Sequence, residues 1–580
     1  MPNDQDPDSW WRHGVVYQIY PRSFQDSNGD GVGDLRGIIN RLDWLNDGQG
    51  SRGASLGVDA IWLSPVYPSP QRDFGYDISD YDGIDPAFGT MADFDELLAQ
   101  AHRRGIRVIM DLVVNHTSDQ HPWFVESRSS RDNPKRDWYL WQPGVPGRGG
   151  KHRPPNNWFA GFELKSAWWL DPVTGEFYLG TFTRQQPELN WRNPAVREAI
   201  YAMMRRWLDR GVDGFRLDVA NWYIKDEQLR SNPWRLSFNP PDLQVHLWDR
   251  NQPGSHEICR EMRSLVAEYP GRMLEGEIFT DRAEVAASYP GKGDDELHFA
   301  FNFAFLFSPW KARAFYRRIA EWEALLPPGG WPNQTLSNHD QRRHVSRYAK
   351  GWHTEARARV AAALLLLQRG TPFLYYGEEI GMRSVRIARR DIRDPKRLML
   401  WPLLEGRDNC RTPMQWDAGP GAGFLPAVPE VFGPRAGADH SGAQPSGAGP
   451  VPARPWLPLN PDSATRNVAA QQADPASLWR WYQTLLALRR AEPALAAGDL
   501  EWLVSGERDL LVFRRSAAGR NILVILNFAT RGRKTDSGRG GTVLLGSHRR
   551  PGEPCAATIQ LAANEDLVIA ETNRFPMEKS

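Results

Sequence analysis

GFRLDVAN (214–221) opens on apolar residues and closes near Asp218, with Arg216 two positions before it. A short run that starts almost wholly apolar and ends charged reads as a strand buried on both faces. Seven more stretches share that character: VVYQIYPRSF (15–24), AIWLSPV (60–66), RVIMDLVV (107–114), RMLEGEI (272–278), LHFAFNF (297–303), QTLSNHD (334–340) and TPFLYYGEE (371–379). Amphipathic helical segments lie between many of them. ADFDELLAQAHRRG (92–105) and PAVREAIYAMMRRWLDRG (194–211) each close on a glycine, a common helix stop. Eight strands interleaved with helices predict an α/β fold, a (β/α)8 TIM barrel, whose chemistry gathers at the C-terminal ends of its strands. The acidic residues of this chain collect there.

Outward from the strands, the barrel is read as residues 1–114 and 191–495. Residues 115–190 are rich in aromatics, Gly and Pro, carry the strand-like GEFYLGTF, and are read as a small domain inserted after strand 3. The interval 380–460 is Arg-rich and then Gly/Pro-rich; its stretch GPRAGADHSGAQPSGAGPVPARP is expected to be mobile. After the helical ASLWRWYQTLLALRRAEPAL, the runs LLVFRR, NILVILNF, TVLLG, ATIQLA and DLVIAE predict a C-terminal antiparallel β-sandwich over 496–580. No internal repeat is visible.

Composition narrows the function. The 580 residues exceed one hydrophobic core and imply several domains. Lys+Arg 71 against Asp+Glu 70 excludes the basic excess of a general nucleic-acid binder. The 25 tryptophans are many for this length; indoles fill cores, but they also stack on the C–H faces of sugars. Cys259, Cys410 and Cys555 are too scattered for a disulfide framework or a zinc site. The N-terminal MPNDQDPDSWWRHG lacks a signal-peptide pattern, and the longest apolar stretch, Val360 to Leu367, is short of a membrane span. The expectation is a cytoplasmic, soluble protein with neither a nucleic-acid nor a membrane partner.

Three strand ends carry chemistry. Arg216 and Asp218 share a strand face, so both can point into the barrel mouth, where the guanidinium favours an ionised carboxylate. Glu277, in LEGEIF, lies among apolar neighbours, and burial there would raise its pKa as a general acid needs. His339 and Asp340 end another strand in LSNHD, where Asp340 could hold sugar hydroxyls. Two carboxyls flanking an anomeric carbon are what glycoside hydrolysis requires. The bland alternative for each is a salt bridge at the barrel rim.

DLVVNH (111–116), GFRLDVAN (214–221), GEIF (276–279) and SNHD (337–340) together resemble the four sequence regions of the α-amylase superfamily, glycoside hydrolase family 13. The resemblance implies Asp218 as nucleophile, Glu277 as acid/base and Asp340 as third carboxylate. It implies that Arg216, His116 and His339 bind sugar, and that Asp77, after Tyr76 in GYDISDY, holds the far hydroxyls of the cleaved glucose. RDNCRTPMQW (407–416) resembles the oligo-1,6-glucosidase and α-glucosidase branch, whose counterparts of Arg407 and Arg411 close the pocket beside that aspartate. DSNGDGVGD (26–34) resembles the branch's metal loop: Asp26, Asn28, Asp30, Asp34 and the carbonyl of Val32 suit Ca2+.

Two segments depart from the branch. QPELN (186–190) stands for its QPDLN, and GFELKSAW (161–168) for a Gly/Ser-rich stretch; both are expected near the outer subsites. Val219, after the nucleophile, resembles the α-1,6-preferring members. The reading is an exo-acting retaining α-glucosidase taking a small oligosaccharide, leaning to isomaltose-type linkages and open to transglucosylation. An α-1,4-glucosidase, a sucrose hydrolase or isomerase and a glucosyltransferase remain open within the same pocket. An inactive interaction subunit should have lost carboxylates or gained an anchor; this chain keeps all three.

Overall fold

The computed structural model describes residues 9–50, 54–147, 149, 151–163, 165–237, 243–292, 295–395, 398, 406–426 and 454–572. The Gly/Pro-rich stretch expected to be mobile (433–455) lies outside them except at its last two residues.

All eight expected strands form. They are β1 (Val16–Ile19), β2 (Ala60–Leu63), β3 (Arg107–Leu112), β4 (Gly214–Leu217), β5 (Met273–Gly276), β6 (Phe299–Ala300), β7 (Asn333–Thr335) and β8 (Thr371–Tyr375). Each pairs in parallel with its chain neighbours, and β8 returns to pair with β1. A bridge from Phe301 to Asn333 closes the ring between β6 and β7. The result is a (β/α)8 barrel. Its interior holds Val16, Ala60, Trp62, Ile109, Met273, Phe299 and Phe373 as one apolar cluster.

Local signals set the helices. Asn193 caps the helix Pro194–Arg210 by accepting from Ala195 N–H, Pro194 opens it, and Gly211 ends it in the left-handed region at φ 112°. The helix Thr354–Leu367 is apolar almost all round because it is buried all round. It packs on the helix Leu478–Ala491 and on the C-terminal domain.

After β3 the chain makes a small separate sheet from Trp141–Gln142, Phe177–Leu179 and Trp168–Leu170, with its own apolar cluster around Trp158 and Trp168. The C-terminal part is antiparallel: a six-stranded sheet beginning with Asp499–Ser505, Leu510–Ala517 and Arg520–Asn527, and a two-stranded sheet of Arg533–Asp536 with Thr558–Leu561. Among the described residues no helix is long and apolar enough to cross a membrane.

Candidate active site

The parallel ladder runs just past the strands and carries the acidic residues to the rim. Asp218 N–H donates to Leu112 O (3.1 Å) and Glu277 N–H to Leu217 O (2.9 Å). Immediately after Asp218 the chain turns sharply. Val219 adopts φ 39°, ψ 47°, a left-handed conformation that a β-branched residue rarely takes and that stores on the order of 1–3 kcal/mol. The turn aims Val219 N–H at Glu277 Oε2 (3.4 Å).

One guanidinium ties the site together. Arg216 Nη1 donates to Asp218 Oδ1 (2.7 Å) and Asp111 Oδ1 (2.8 Å), and Nη2 lies 2.6 Å from Glu277 Oε2. Asp111, on β3, also accepts from Trp62 Nε1 (3.2 Å) and Tyr76 Oη (3.0 Å). His339 stacks on Tyr76 with rings 5.2 Å apart. Gln18 Nε2 donates to His339 Nδ1 (2.8 Å), which leaves Nε2–H to donate to Tyr76 Oη (2.7 Å). This neutral tautomer agrees with burial, which pushes His339 down to about 3.

The carboxyls differ in environment. Burial raises Glu277 to about 8, more than Arg216 can offset, so it carries a proton at neutral pH. Burial also raises Asp218, against the expectation that Arg216 alone decides, but only to about 6, because the guanidinium opposes it. Asp218 therefore ionises first and Glu277 keeps the proton, as a nucleophile and a general acid require. Burial would raise Asp340 too, but the guanidinium charges of Arg407, Arg411 and Arg216 outweigh it and hold this carboxyl far below the usual range.

Asp218, Glu277 and Asp340 line a pocket of about 430 Å3 with Tyr76, His116, Val219, Phe162, Phe182, Trp222 and Gln186, while Arg216 and His339, expected to bind sugar, stand behind that lining. Phe182 stacks on Trp222, 4.9 Å apart and 9° from parallel. Phe279 and Phe307, 38% and 50% exposed, stand at the mouth. His116 Nε2–H donates inward to Tyr76 O (2.9 Å).

Two expectations need correction. Asp77 does not reach the pocket: it is fully buried, and its carboxylate accepts from Ser69 Oγ (2.9 Å), Arg72 N–H (2.9 Å) and Asp73 N–H (3.0 Å). Asp73 lines the pocket instead, receiving Arg407 Nη2 (2.6 Å) and Gln186 Nε2 (3.2 Å). Arg411 is likewise no wall residue. It is buried behind the site, donating to Asp340 Oδ1 (2.6 Å) and His339 O (2.7 Å). Arg407 closes the wall, resting on Phe162 (4.7 Å) and anchored by Asp394 (3.0 Å).

The two atypical segments fare differently. Gly161 and Phe162 line the pocket, whereas Glu188 of QPELN faces away, buried in an ion pair with Lys225 and accepting from Thr181 N–H (3.0 Å). The residue of that motif in the pocket is Gln186. Asp111 and Gln186 lay inside the motifs DLVVNH and QPELN, but nothing there marked Asp111 as a partner of Arg216 or Gln186 as facing the cavity; Asp73 stands two residues before GYDISDY, outside any motif.

In the loop 26–34, Asp26 accepts from Asn28, Gly29 and Gly31 N–H (3.0, 2.6 and 2.7 Å), Asn28 from Asp30 N–H (2.9 Å), and Asp30 from Val32 N–H (2.8 Å). Asp34 accepts from Ser27 and caps the helix Leu35–Ile39 through Gly37 N–H (2.7 Å). Among the described residues no three His, Cys, Asp or Glu side chains converge as a ready metal cluster.

Comparison with known proteins supplies the rest. The profile of the alpha amylase catalytic domain matches residues 18–433. A probable alpha-glucosidase of Rhizobium meliloti (strain 1021) is 42% identical over 541 residues, 90% of each chain. An oligo-1,6-glucosidase of Parageobacillus thermoglucosidasius is 39% identical over 551 residues, again 90% of each. Among solved structures, the alpha-glucosyl transfer enzyme XgtA superposes with TM-score 0.85 at 38% identity, covering 97% of this chain and 99% of its own. The trehalulose synthase MutB of Pseudomonas mesoacidophila MX-45 superposes with TM-score 0.83 at 34% identity, covering 97% and 99%.

Proposed function

The chain belongs to the alpha-amylase family of glycoside hydrolases, and we propose that it is an exo-acting, retaining α-glucosidase that prefers α-1,6-linked glucose at a non-reducing end. The observation that carries this reading is the make-up of the pocket: two carboxyls share one guanidinium at its floor, and the Arg407–Asp73 pair walls one side.

Attack begins with Asp218, the carboxyl that ionises first, on the anomeric carbon. Glu277 gives its proton to the leaving oxygen. Glu277, now ionised, takes a proton from water, and the water's oxygen displaces Asp218 from the glucosyl carbon. Contact of Asp218 and Glu277 with the same Arg216 favours this double displacement. Inversion needs roughly 6.5–9.5 Å between carboxyls to admit water, and retention about 5–5.5 Å. The α-1,6 preference is supported by Val219 and by similarity to oligo-1,6-glucosidases. Transfer to a sugar acceptor is a second outcome of the same intermediate. The apolar mouth at Phe279 and Phe307 favours it, as does likeness to a glucosyl transfer enzyme.

A panel of isomaltose, panose, maltose, sucrose, trehalose and kojibiose, followed by proton NMR of the first anomer released, tests the reading. We expect isomaltose to give the highest kcat/KM and α-glucose to appear first. β-Glucose first would overturn retention; preference for maltose would overturn only the linkage.

We also assign a structural Ca2+ to residues 26–34, on donor chemistry: three carboxylates, the Asn28 amide oxygen and the Val32 carbonyl. Binding would have to draw the carboxylates together. A Tm that rises with Ca2+ in the wild type but not in Asp30→Ala is the expected result; identical responses reject the site.

A further inference from the structure

Glu275 has no place in the chemistry above, yet it is buried in the barrel directly under it. It lies on β5, and Glu277 follows two residues later, one past the strand's end, so both side chains face the interior, one layer apart. In the parallel register it stands beside Arg216 on β4. Among the described residues it accepts one hydrogen bond, from Asn333 on β7, whose Nδ2 donates to Glu275 Oε1 (3.3 Å). Strands β5 and β7 are not neighbours in the sheet, so this bond spans the barrel interior.

Three polar atoms in that interior lack a hydrogen-bond partner among the described residues: Glu275 Oε2, Asn333 Oδ1 and Arg216 Nε. Glu275 is fully buried. The charged and titratable groups that face it are Arg216 from β4, Glu277 from just past its own strand and Asp111 from β3. Arg216 already serves Asp111, Asp218 and Glu277. An ionised Glu275 would add a further negative charge to those of Asp111 and Asp218 around one guanidinium, at a position cut off from bulk solvent. The side chain is stable here as a neutral acid, which can donate one hydrogen bond and adds no charge.

We propose that Glu275 is a positioning residue: held as a neutral acid, it fills the polar layer beneath Arg216 and leaves the guanidinium shared between Asp218 and Glu277. Losing its proton would place a negative charge under Arg216 and draw the guanidinium down, away from the two reacting carboxyls. Activity would then fail at high pH for two reasons, deprotonation of Glu277 and deprotonation of Glu275.

The inference rests on the roles given above to Asp218 and Glu277, and Asp218→Asn separates the two. If that variant keeps full activity, the assignment of roles fails and takes the inference with it. If it is inactive, the Glu275 variants test the inference alone. Glu275→Gln keeps size and hydrogen bonding but cannot ionise. We expect its kcat at pH 6 to stay within about twofold of wild type. On the alkaline side, wild-type log kcat/KM should approach a slope of −2 and the variant a slope of −1. Glu275→Leu should lose at least about tenfold in kcat with little change in KM, because an interaction made only in the transition state is disturbed. Superimposable alkaline limbs for wild type and Glu275→Gln would overturn the proposal. So would a fully active Glu275→Leu, which would make Glu275 a filler of the core. Should Glu275→Leu fail to fold, the Glu275→Gln profile still decides.

Discussion

The barrel buries arginines at both of its ends, and their company differs. Near the C-terminal ends of the strands, Arg216 meets three acidic side chains, Asp111, Asp218 and Glu277. Where the barrel meets the C-terminal domain, the hydrogen bonds that Arg489 and Arg515 make among the described residues go to backbone carbonyls. Arg489 donates to Leu366 O (2.8 Å), Gly370 O (2.8 Å), Leu495 O (3.0 Å) and Ala496 O (3.1 Å); Arg515 donates to Leu367 O (2.7 Å) and Gly498 O (2.9 Å). Leu366, Leu367, Leu495 and Ala496 lie in the last turns of the helices Thr354–Leu367 and Pro493–Ala497, where carbonyls have no intrahelical donors, and Gly370 and Gly498 follow those helices. Burial disfavours charge on both arginines. At the site the carboxylates outweigh it and hold Arg216 firmly charged; at the junction nothing does, and Arg489 is pushed down to about 10. One guanidinium is a relay among groups that change charge. The others are mortar between two domains.

The sharpest way to break that contrast is to keep charge and remove shape. A lysine cannot hold two carboxylates with a planar fork. Arg216→Lys should therefore lose kcat by about 10^3-fold, the scale of removing a preorganised electrostatic contact. Its thermal midpoint should hardly move. A loss below tenfold would mean that sharing by Arg216 is not what sets the chemistry.

The reciprocal change acts on stability. Arg489→Met strands four carbonyls, and unsatisfied buried groups cost about 1–3 kcal/mol each before local relaxation. We expect a net loss on the order of 3 kcal/mol in urea unfolding. The kcat of the folded fraction should stay within twofold. Lost kcat at full stability would show that the two clusters communicate.

A smaller and graded effect comes from pH. Asp218 must be ionised, so kcat/KM falls as pH drops through about 6; Glu277 must be protonated, so it falls again as pH rises through about 8. The two titrate as a pair, and the profile reports the pair. We expect a bell with its maximum between those values and roughly tenfold loss per unit on the acid side. Arg489→Met should leave the bell in place, since no titrating group of the site touches Arg489.

How much of this was legible in sequence depends on the kind of structure. All eight barrel strands were, even the two-residue β6, because burial on both faces leaves an apolar run that ends in polar residues. The residues at strand ends were legible for the same reason: Arg216, Asp218 and Glu277 are placed by strand periodicity. Residues on irregular loops were not. Asp73 and Asp77 are the same side chain four positions apart. What separates them is a turn through Phe74 (φ 51°) and Gly75 (φ 105°), which no periodicity encodes. Arg407 and Arg411 were both expected in the wall, and the 3-10 turn Arg407–Cys410 puts Arg407 there and Arg411 behind it. The inner role of Glu188 depended on Lys225, a partner distant in sequence.

That confusion yields the smallest expected effect, and it discriminates directly. Asp73 faces the cavity and is held by Arg407 and Gln186; Asp77 serves Ser69 and two backbone N–H groups inside the turn. Asp73→Asn keeps shape but gives up charged hydrogen bonds to a sugar, worth about 1.5–3 kcal/mol each. Part of that is recovered because the amide still accepts one bond, so KM should rise by roughly tenfold, with kcat less affected. Asp77→Asn puts an NH2 where at least one backbone donor, Arg72 N–H, now points, so the turn loosens and the thermal midpoint falls. Its KM changes only as far as the loosened turn displaces Asp73. If instead Asp77→Asn raises KM more than Asp73→Asn while stability holds, the wall of the pocket has been assigned to the wrong carboxylate.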